Sequence, residues 1–352
     1  MNLKRSIHLS FWAILVAVLI AASAPGVALA GPSRTVATEA DLRAAVNMGS
    51  AAGDIRLAND IALQETLDLG KCTTNAASDH TVVIDLAGHK LEAGSDTVKK
   101  NSVIVVPAGY TLTICDTSGG NKGSIEGAAR GVWNHGSFTM TSGGIRNNSG
   151  QNDGNGLYND KGGTAVISGG VIEGNVAQAK RDGAGVFNLG QLQMTGGVVQ
   201  NNRTDTGNGS EGYGGGIYNG KGGNFTLSGG TIQGNAAERG AGVYNASDCD
   251  VMAVMGRARI QSNTATNQGG GIYNGKSNGA TKLALLGGVI TGNTAGDCGG
   301  GIANIGVMAA SAGNISGNTA ARNGGGIYDE GKLVLSGSIV VKDNKGDRKS
   351  VV

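Results

Sequence analysis

Seven aromatic side chains stand out in this 352-residue chain because they recur at one position of a pattern. They are Trp133, Tyr158, Phe187, Tyr218, Tyr244, Tyr273 and Tyr328, with Ala303 taking the remaining place, and only four other aromatics follow residue 30. The residue before each is aliphatic: Val132, Leu157, Val186, Ile217, Val243, Ile272, Ile302 and Ile327. On strands with alternating faces the aliphatic side chain points inward and the ring outward. Rings about 4.8 Å apart on successive strands suit stacking on sugars or insertion into a protein partner. They equally suit a bland role, fastening the sheet beneath glycine-rich turns.

Acid–base chemistry has weaker candidates. A calcium-dependent eliminase needs carboxylates clustered on neighbouring strands plus a basic side chain, and a glycoside hydrolase needs carboxylates flanking the scissile bond. Here Glu173 aligns with Gln200, Gln233 and Gln261, and Asp248 and Asp250 have no acidic counterpart one repeat away. The histidines after position 30 are His80, His89 and His135, and Gly88-His89-Lys90 lacks carboxylate partners. No Ser/His/Asp or Cys/His constellation and no CxxC zinc spacing occurs, so the expectation is a non-catalytic protein without metal or cofactor. Lys161, Lys221 and Lys276, each two residues past an Asn, could meet acidic glycans, but solvated turn lysines explain them as well.

The element that positions the aromatic column is an internal repeat. GGGIYN at 214–219, FTLSGG at 225–230 and TIQGN at 231–235 return as GGGIYN at 269–274, LALLGG at 283–288 and VITGN at 289–293. The Asn closing the first block recurs as Asn134, Asn159, Asn188, Asn219, Asn245, Asn274 and Asn304, with Asp329 in the eighth unit. The Asn closing the third recurs as Asn148, Asn175, Asn202, Asn235, Asn263, Asn293, Asn318 and Asn344. Units of 25 to 31 residues are too short for a βαβ crossover, and each holds three runs of period two closed by Gly or Asn. This predicts an all-β fold, a right-handed parallel β-helix (solenoid) of three-stranded rungs, the glycines serving positive φ at its corners. The third block adds Ile145, Ile172, Val199, Ile232, Ile260, Ile290 and Ile315 to the core, and the Asn columns are read as structural ladders bonding rung to rung.

The 65 glycines and 3 prolines exclude a collagen frame, and 39% hydrophobic residues exclude a flexible linker. Lys4 and Arg5, an apolar run from Phe11 to Ile20 and Ala28-Leu29-Ala30 predict a cleaved export signal over 1–30, hence a secreted or cell-surface protein with no transmembrane segment left after cleavage. The remainder carries 26 basic and 26 acidic residues, which argues against nucleic acid as a partner. Residues 31–129 lack the repeat and are expected to form an N-terminal cap with a short helix from the Thr38 to Asp41 capping box, followed by irregular first rungs. The repeat fills 130–344, and 345–352 is a charged tail. Of the four cysteines, Cys249 and Cys298 fall at opposite ends of their strands and are not expected to pair; Cys72 with Cys115 stays open.

The GGGI blocks before the aromatic, and IxxN as in Ile172–Asn175, Ile232–Asn235 and Ile290–Asn293, resemble the GGA[ILV] and FxxN repeats of the chlamydial polymorphic membrane proteins, with Ile in place of Phe. DLRAAV at 41–46, VIDLAGHKL at 83–91 and LTICD at 112–116 are similar to N-terminal regions of large bacterial surface proteins with β-helix repeats. The likeness covers about residues 36–344 and implies a pectin-lyase-like right-handed β-helix acting as a surface adhesin. The expected function is therefore recognition or adhesion, with a glycan or cell-surface protein as partner. The alternatives are a polysaccharide lyase or glycoside hydrolase of the same fold, and a structural or truncated array without activity of its own. Oligomeric state stays open.

Overall fold

The computed structural model describes residues 33–72, 80–205, 212–280 and 282–346. The expected signal segment and positions 347–352 of the tail lie outside the described residues. The fold is a parallel β-solenoid of about ten coils, and all its strand pairs are parallel. The first run of each repeat, as in Ile217–Asn219, pairs with Val186–Asn188 before it and Val243–Asn245 after it, and ten such strands make one sheet. The second and third runs, as in Asn224–Leu227 and Thr231–Gln233, belong together to a 20-stranded sheet. Towards the C-terminal end they fuse into single strands, Leu283–Thr291, Val307–Ser316 and Lys332–Lys342.

The third sheet departs from the three-run reading. It consists of seven two-residue strands, among them Val176–Ala177, Ala236–Ala237 and Thr294–Ala295, which follow directly on the second Asn column. A regular unit is therefore four strands in three sheets. Only a small side chain fits inside this tight corner, and the inner position reads Ala177, Thr204, Ala237, Ala265, Ala295 and Ala320, all buried.

The stack begins well before residue 130. Asp54–Leu57, Thr81–Asp85 and Thr111–Cys115 pair in succession and hand over to Ser137–Met140. Ahead of them the helix Glu39–Val46 is capped by the Thr38 side chain, which accepts the Asp41 N–H. Its Leu42, Ala45 and Val46 share the apolar core of Ile55 and Leu57, so the helix closes the face that the first coil would otherwise expose. Every member of the two aliphatic columns is buried.

The glycines have two reasons rather than one. The glycine preceding each aliphatic residue does not have a positive φ; it sits where rungs approach most closely. A Cβ on Gly185, Gly216, Gly242 or Gly271 would lie 2.5 to 2.6 Å from the carbonyl oxygen of the equivalent glycine one coil on. Alanine at this place is excluded by contact, not by conformation.

Candidate functional site

The inward Asn columns are enclosed and bonded along the whole array. In the first, each Nδ2 donates to the Oδ1 one coil later: 2.7 Å from Asn134 to Asn159, 2.9 Å from Asn219 to Asn245, 2.7 Å from Asn274 to Asn304. The series ends at Asp329, whose Oδ1 accepts from Asn304. Since the donors all point one way, the last member needs only to accept, and a carboxylate does so. In the second column each amide spans three coils. Asn175 Oδ1 accepts from both the backbone N–H (3.0 Å) and Nδ2 (3.1 Å) of Asn148, while its Nδ2 donates to Asn202 Oδ1 (2.9 Å) and back to Ile145 O (3.1 Å). The same holds through Asn202, Asn235, Asn263, Asn293 and Asn318. These amides are committed to one another and face no solvent.

The aromatic column stacks on the opposite face of the first-run sheet. Ring centroids lie 5.1 Å apart from Tyr158 to Phe187, 4.8 Å from Phe187 to Tyr218, 5.1 Å from Tyr218 to Tyr244 and 4.8 Å from Tyr244 to Tyr273, with planes within 13° of parallel. Each ring thus covers the face of the next, and the surface of the column consists mainly of ring edges and hydroxyls. Tyr273 is 8% exposed, Ala303 interrupts the stack, and Tyr328 stands apart with its hydroxyl on Glu330. Burial raises the phenols of Tyr218 and Tyr244, so they stay neutral at ordinary pH. Trp133 is the exception in orientation: its ring meets Tyr158 edge-on, at 80° and 6.2 Å.

A second column runs beside the rings and is absent from the sequence reading. It lies five residues ahead of each aromatic position: Asp153, Asp182, Tyr213, Arg239, Gln268, Cys298 and Asn323. The next residue is always glycine, with φ between +58° and +70° from Gly154 to Gly324, and this left-handed turn folds the preceding side chain back over the column. Tyr213 stacks on Tyr244 at 4.7 Å, and the Arg239 guanidinium lies 5.7 Å from Tyr213 and 5.9 Å from Tyr273. The constant offset was the available signal; a turn residue of changing type hides it.

Asp182 in this column is largely buried. Burial pushes its carboxyl up to about 7, nearby Asp153 adds to the rise, and the Tyr213 N–H (2.8 Å to Oδ1) and Arg181 work against it. The folded chain therefore holds this proton more tightly than the unfolded one, and stability falls as pH rises from about 4 to about 7. Asp182→Asn keeps an acceptor for Tyr213. It should raise the melting temperature relative to the parent above pH 7 and lose that advantage near pH 4, as read by thermal melts across pH.

At the N-terminal end of the rings a cavity of about 1000 Å³ opens between the helix Glu39–Val46 and the first coils. Trp133 and Arg130 form one wall, and Arg43, Lys71 and Lys100 bring further positive charge against Glu65 and Asp68. Arg43 is tied to Glu39 at 2.7 Å, and Lys71 lies 3.8 Å from Asp68. Arg130 lies over Trp133 (5.0 Å) and Tyr158 (4.8 Å), and burial lowers its pKa.

The other candidates are held in local pairs and ladders. Gln200 donates to Glu173 (2.8 Å) and Gln233 to Gln200 (2.8 Å), so Glu173 terminates an outer amide ladder, with Arg146 3.5 Å away. His80 stacks on Tyr110, His89 lies 3.5 Å from Asp60, and His135 lies 3.0 Å from Asp160. Lys161, Lys221 and Lys276 are exposed. The four cysteines are buried free thiols, Cys72 and Cys115 included, and burial pushes Cys115 up to about 12. Among the described residues no helix is long and apolar enough to cross a membrane, which leaves strands out of account.

The fold and this face define a parallel β-solenoid with one aromatic, cation-flanked surface. Comparison with family models, with curated proteins and with solved structures yields no match for the chain.

Proposed function

We propose that this chain is an exported, surface-acting recognition or adhesion protein that binds a glycan or a partner protein without catalysis. The observation that carries the reading is the pairing of two columns on one face, stacked rings beside a line of side chains that changes from coil to coil. The turn glycine repeats because the backbone requires it; the residue before it runs through Asp, Tyr, Arg, Gln, Cys and Asn, so the architecture does not dictate that side chain. Fold alone does not assign function. The GGGI and IxxN likeness to the chlamydial polymorphic membrane proteins, and the export signal expected over 1–30, support the same reading.

A second reading, in which the column only fastens coils together, is favoured by the mutual stacking of the rings. Replacing Tyr158, Tyr218 and Tyr244 together separates the two. Phenylalanine at all three keeps the stack and removes the outward hydroxyls; serine removes both. Under the recognition reading, binding to a glycan array or to cells drops at least several-fold in the phenylalanine variant while its melting temperature holds within a few degrees. Unchanged binding by a folded serine variant would refute the role of this face. Lyase and hydrolase assays on polysaccharides, with and without calcium, belong beside it, since turnover would overturn the non-catalytic assignment.

A further inference from the structure

We propose that the cavity between the helix Glu39–Val46 and the first coils binds an anionic sugar residue of a glycan chain, carboxylated or sulfated, with Arg130 as its counter-ion and Trp133 as the ring it packs on. The proposal rests on the recognition reading above and names the ligand class and the place.

Three independent features meet there. First, Arg130 is a desolvated cation without a carboxylate partner. Its Nε donates to Asp153 O at 2.9 Å and its guanidinium lies on two rings, yet among the described residues no carboxylate comes within ion-pair distance. Stacking on rings offsets part of the burial of a charge, and an anion would supply the rest. Second, the Trp133 indole N–H is buried and has no acceptor among the described residues, an uncommon state for a donor. A ligand oxygen is the simplest acceptor. Third, Trp133 lines the cavity and has left the stack: the position aligned with it one coil earlier is Val105, and its ring neighbours are Tyr158, met edge-on, and His135, tilted at 44° and 4.7 Å, so neither lies flat on the indole.

The lining selects a sugar over a peptide. Besides the indole the cavity presents the amides of Asn47, Gln64, Asn101 and Asn152, and its aliphatic side chains are only Ala44 and Val105. Amides beside one aromatic match a polyol; a peptide anchor would need an apolar pocket. The balance of four cations against two carboxylates on the wall favours an acidic sugar over a neutral one.

The experiment uses the full chain and three tetrasaccharides: hyaluronan, which carries carboxylates only, chondroitin sulfate, which carries both anions, and fully N-acetylated chitotetraose, which is neutral. An acidic hexapeptide is the fourth probe. Binding is read by calorimetry at two salt concentrations. At least one acidic tetrasaccharide should bind more tightly than chitotetraose, weaken with salt, lose about tenfold or more in Arg130→Gln, and lose about threefold or more in Trp133→Phe, which keeps a ring without the N–H. Arg130→Lys should recover part of the loss. Should Arg130→Gln unfold, Trp133→Phe and the exposed Lys100→Gln carry the test. Equal binding of neutral and acidic sugars, tighter binding of the hexapeptide, or affinities untouched by these substitutions would overturn the site while leaving recognition by the aromatic face intact. No binding of any glycan, peptide or cell by the intact chain would overturn both.

Discussion

Asn245→Leu should lower the stability of the solenoid by about 3–5 kcal/mol, one of the largest effects available from a single side chain of unchanged size. Asn245 accepts from Asn219 Nδ2 at 2.9 Å and donates to Asn274 Oδ1 at 2.9 Å and to Lys282 O at 3.1 Å. Leucine fills the volume but provides neither donor nor acceptor. One hydrogen of Asn219, the Oδ1 of Asn274 and the Cys249 thiol each lose a partner in the buried interior, at about 1–3 kcal/mol per stranded group before relaxation, while the Lys282 carbonyl keeps the Met252 N–H. The damage should be local, because each coil of a solenoid contacts only its neighbours. Hydrogen exchange should therefore lose protection chiefly in the coils around 217–304, and a urea melt should broaden or split instead of shifting as one transition. A variant whose melt and exchange pattern match the parent would mean that the column carries little of the stability.

The features legible in sequence are those whose phase is shared by every coil. Aliphatic, aromatic and Asn positions repeat in step because each must meet its own kind one coil away, and a side chain that fails to do so leaves a void or an unpaired amide. Two features escaped for physical reasons. The two-residue strands are too short for any alternation, and their only mark is a small residue two places after the second Asn, as in Asn235-Ala236-Ala237. The column from Asp153 to Asn323 escaped because a left-handed turn brings it beside the rings, so that neighbours in space are five apart in sequence with no common residue type. The cavity beside Trp133 escaped for another reason: apart from Arg130, Trp133 and Asn152 its walls come from the non-repeating start, among them Arg43, Gln64 and Lys100, where nothing keeps step.

The stacked rings also bear on how such a face can bind. Phe187, Tyr218 and Tyr244 have a ring on both sides, so a sugar meets their edges and hydroxyls and cannot lie flat on them. Trp133 differs: it has turned out of the stack, and neither neighbouring ring is parallel to it, Tyr158 meeting it edge-on and His135 at 44°. A ligand along this face would then be held at one end by packing and charge, and along its length by hydrogen bonds to hydroxyls and to the side chains of the neighbouring column.

The glycines give the second large effect, and a pair of alanine substitutions distinguishes their two roles. Gly242→Ala should destabilise by about 3 kcal/mol. Its Cβ would stand 2.5 Å from Gly271 O and 3.0 Å from both Asn263 Nδ2 and Ile260 Cγ2, so the contact is with backbone and with the Asn column at once. Neither can give way without opening the pairing of Val243–Asn245 with Ile272–Asn274. Gly222 is the contrast: its φ is +71°, and a Cβ there meets nothing within 4 Å. Gly222→Ala should cost only about 1–2 kcal/mol, the conformational penalty of a left-handed residue. Asparagine, which tolerates that region better, should recover part of it at 222 and none at 242, where any Cβ collides. Melting temperatures of the four variants provide the check. Equal losses at the two sites would mean that close approach of the coils is not what holds glycine at 242, and a full rescue by Gly242→Asn would mean that conformation is.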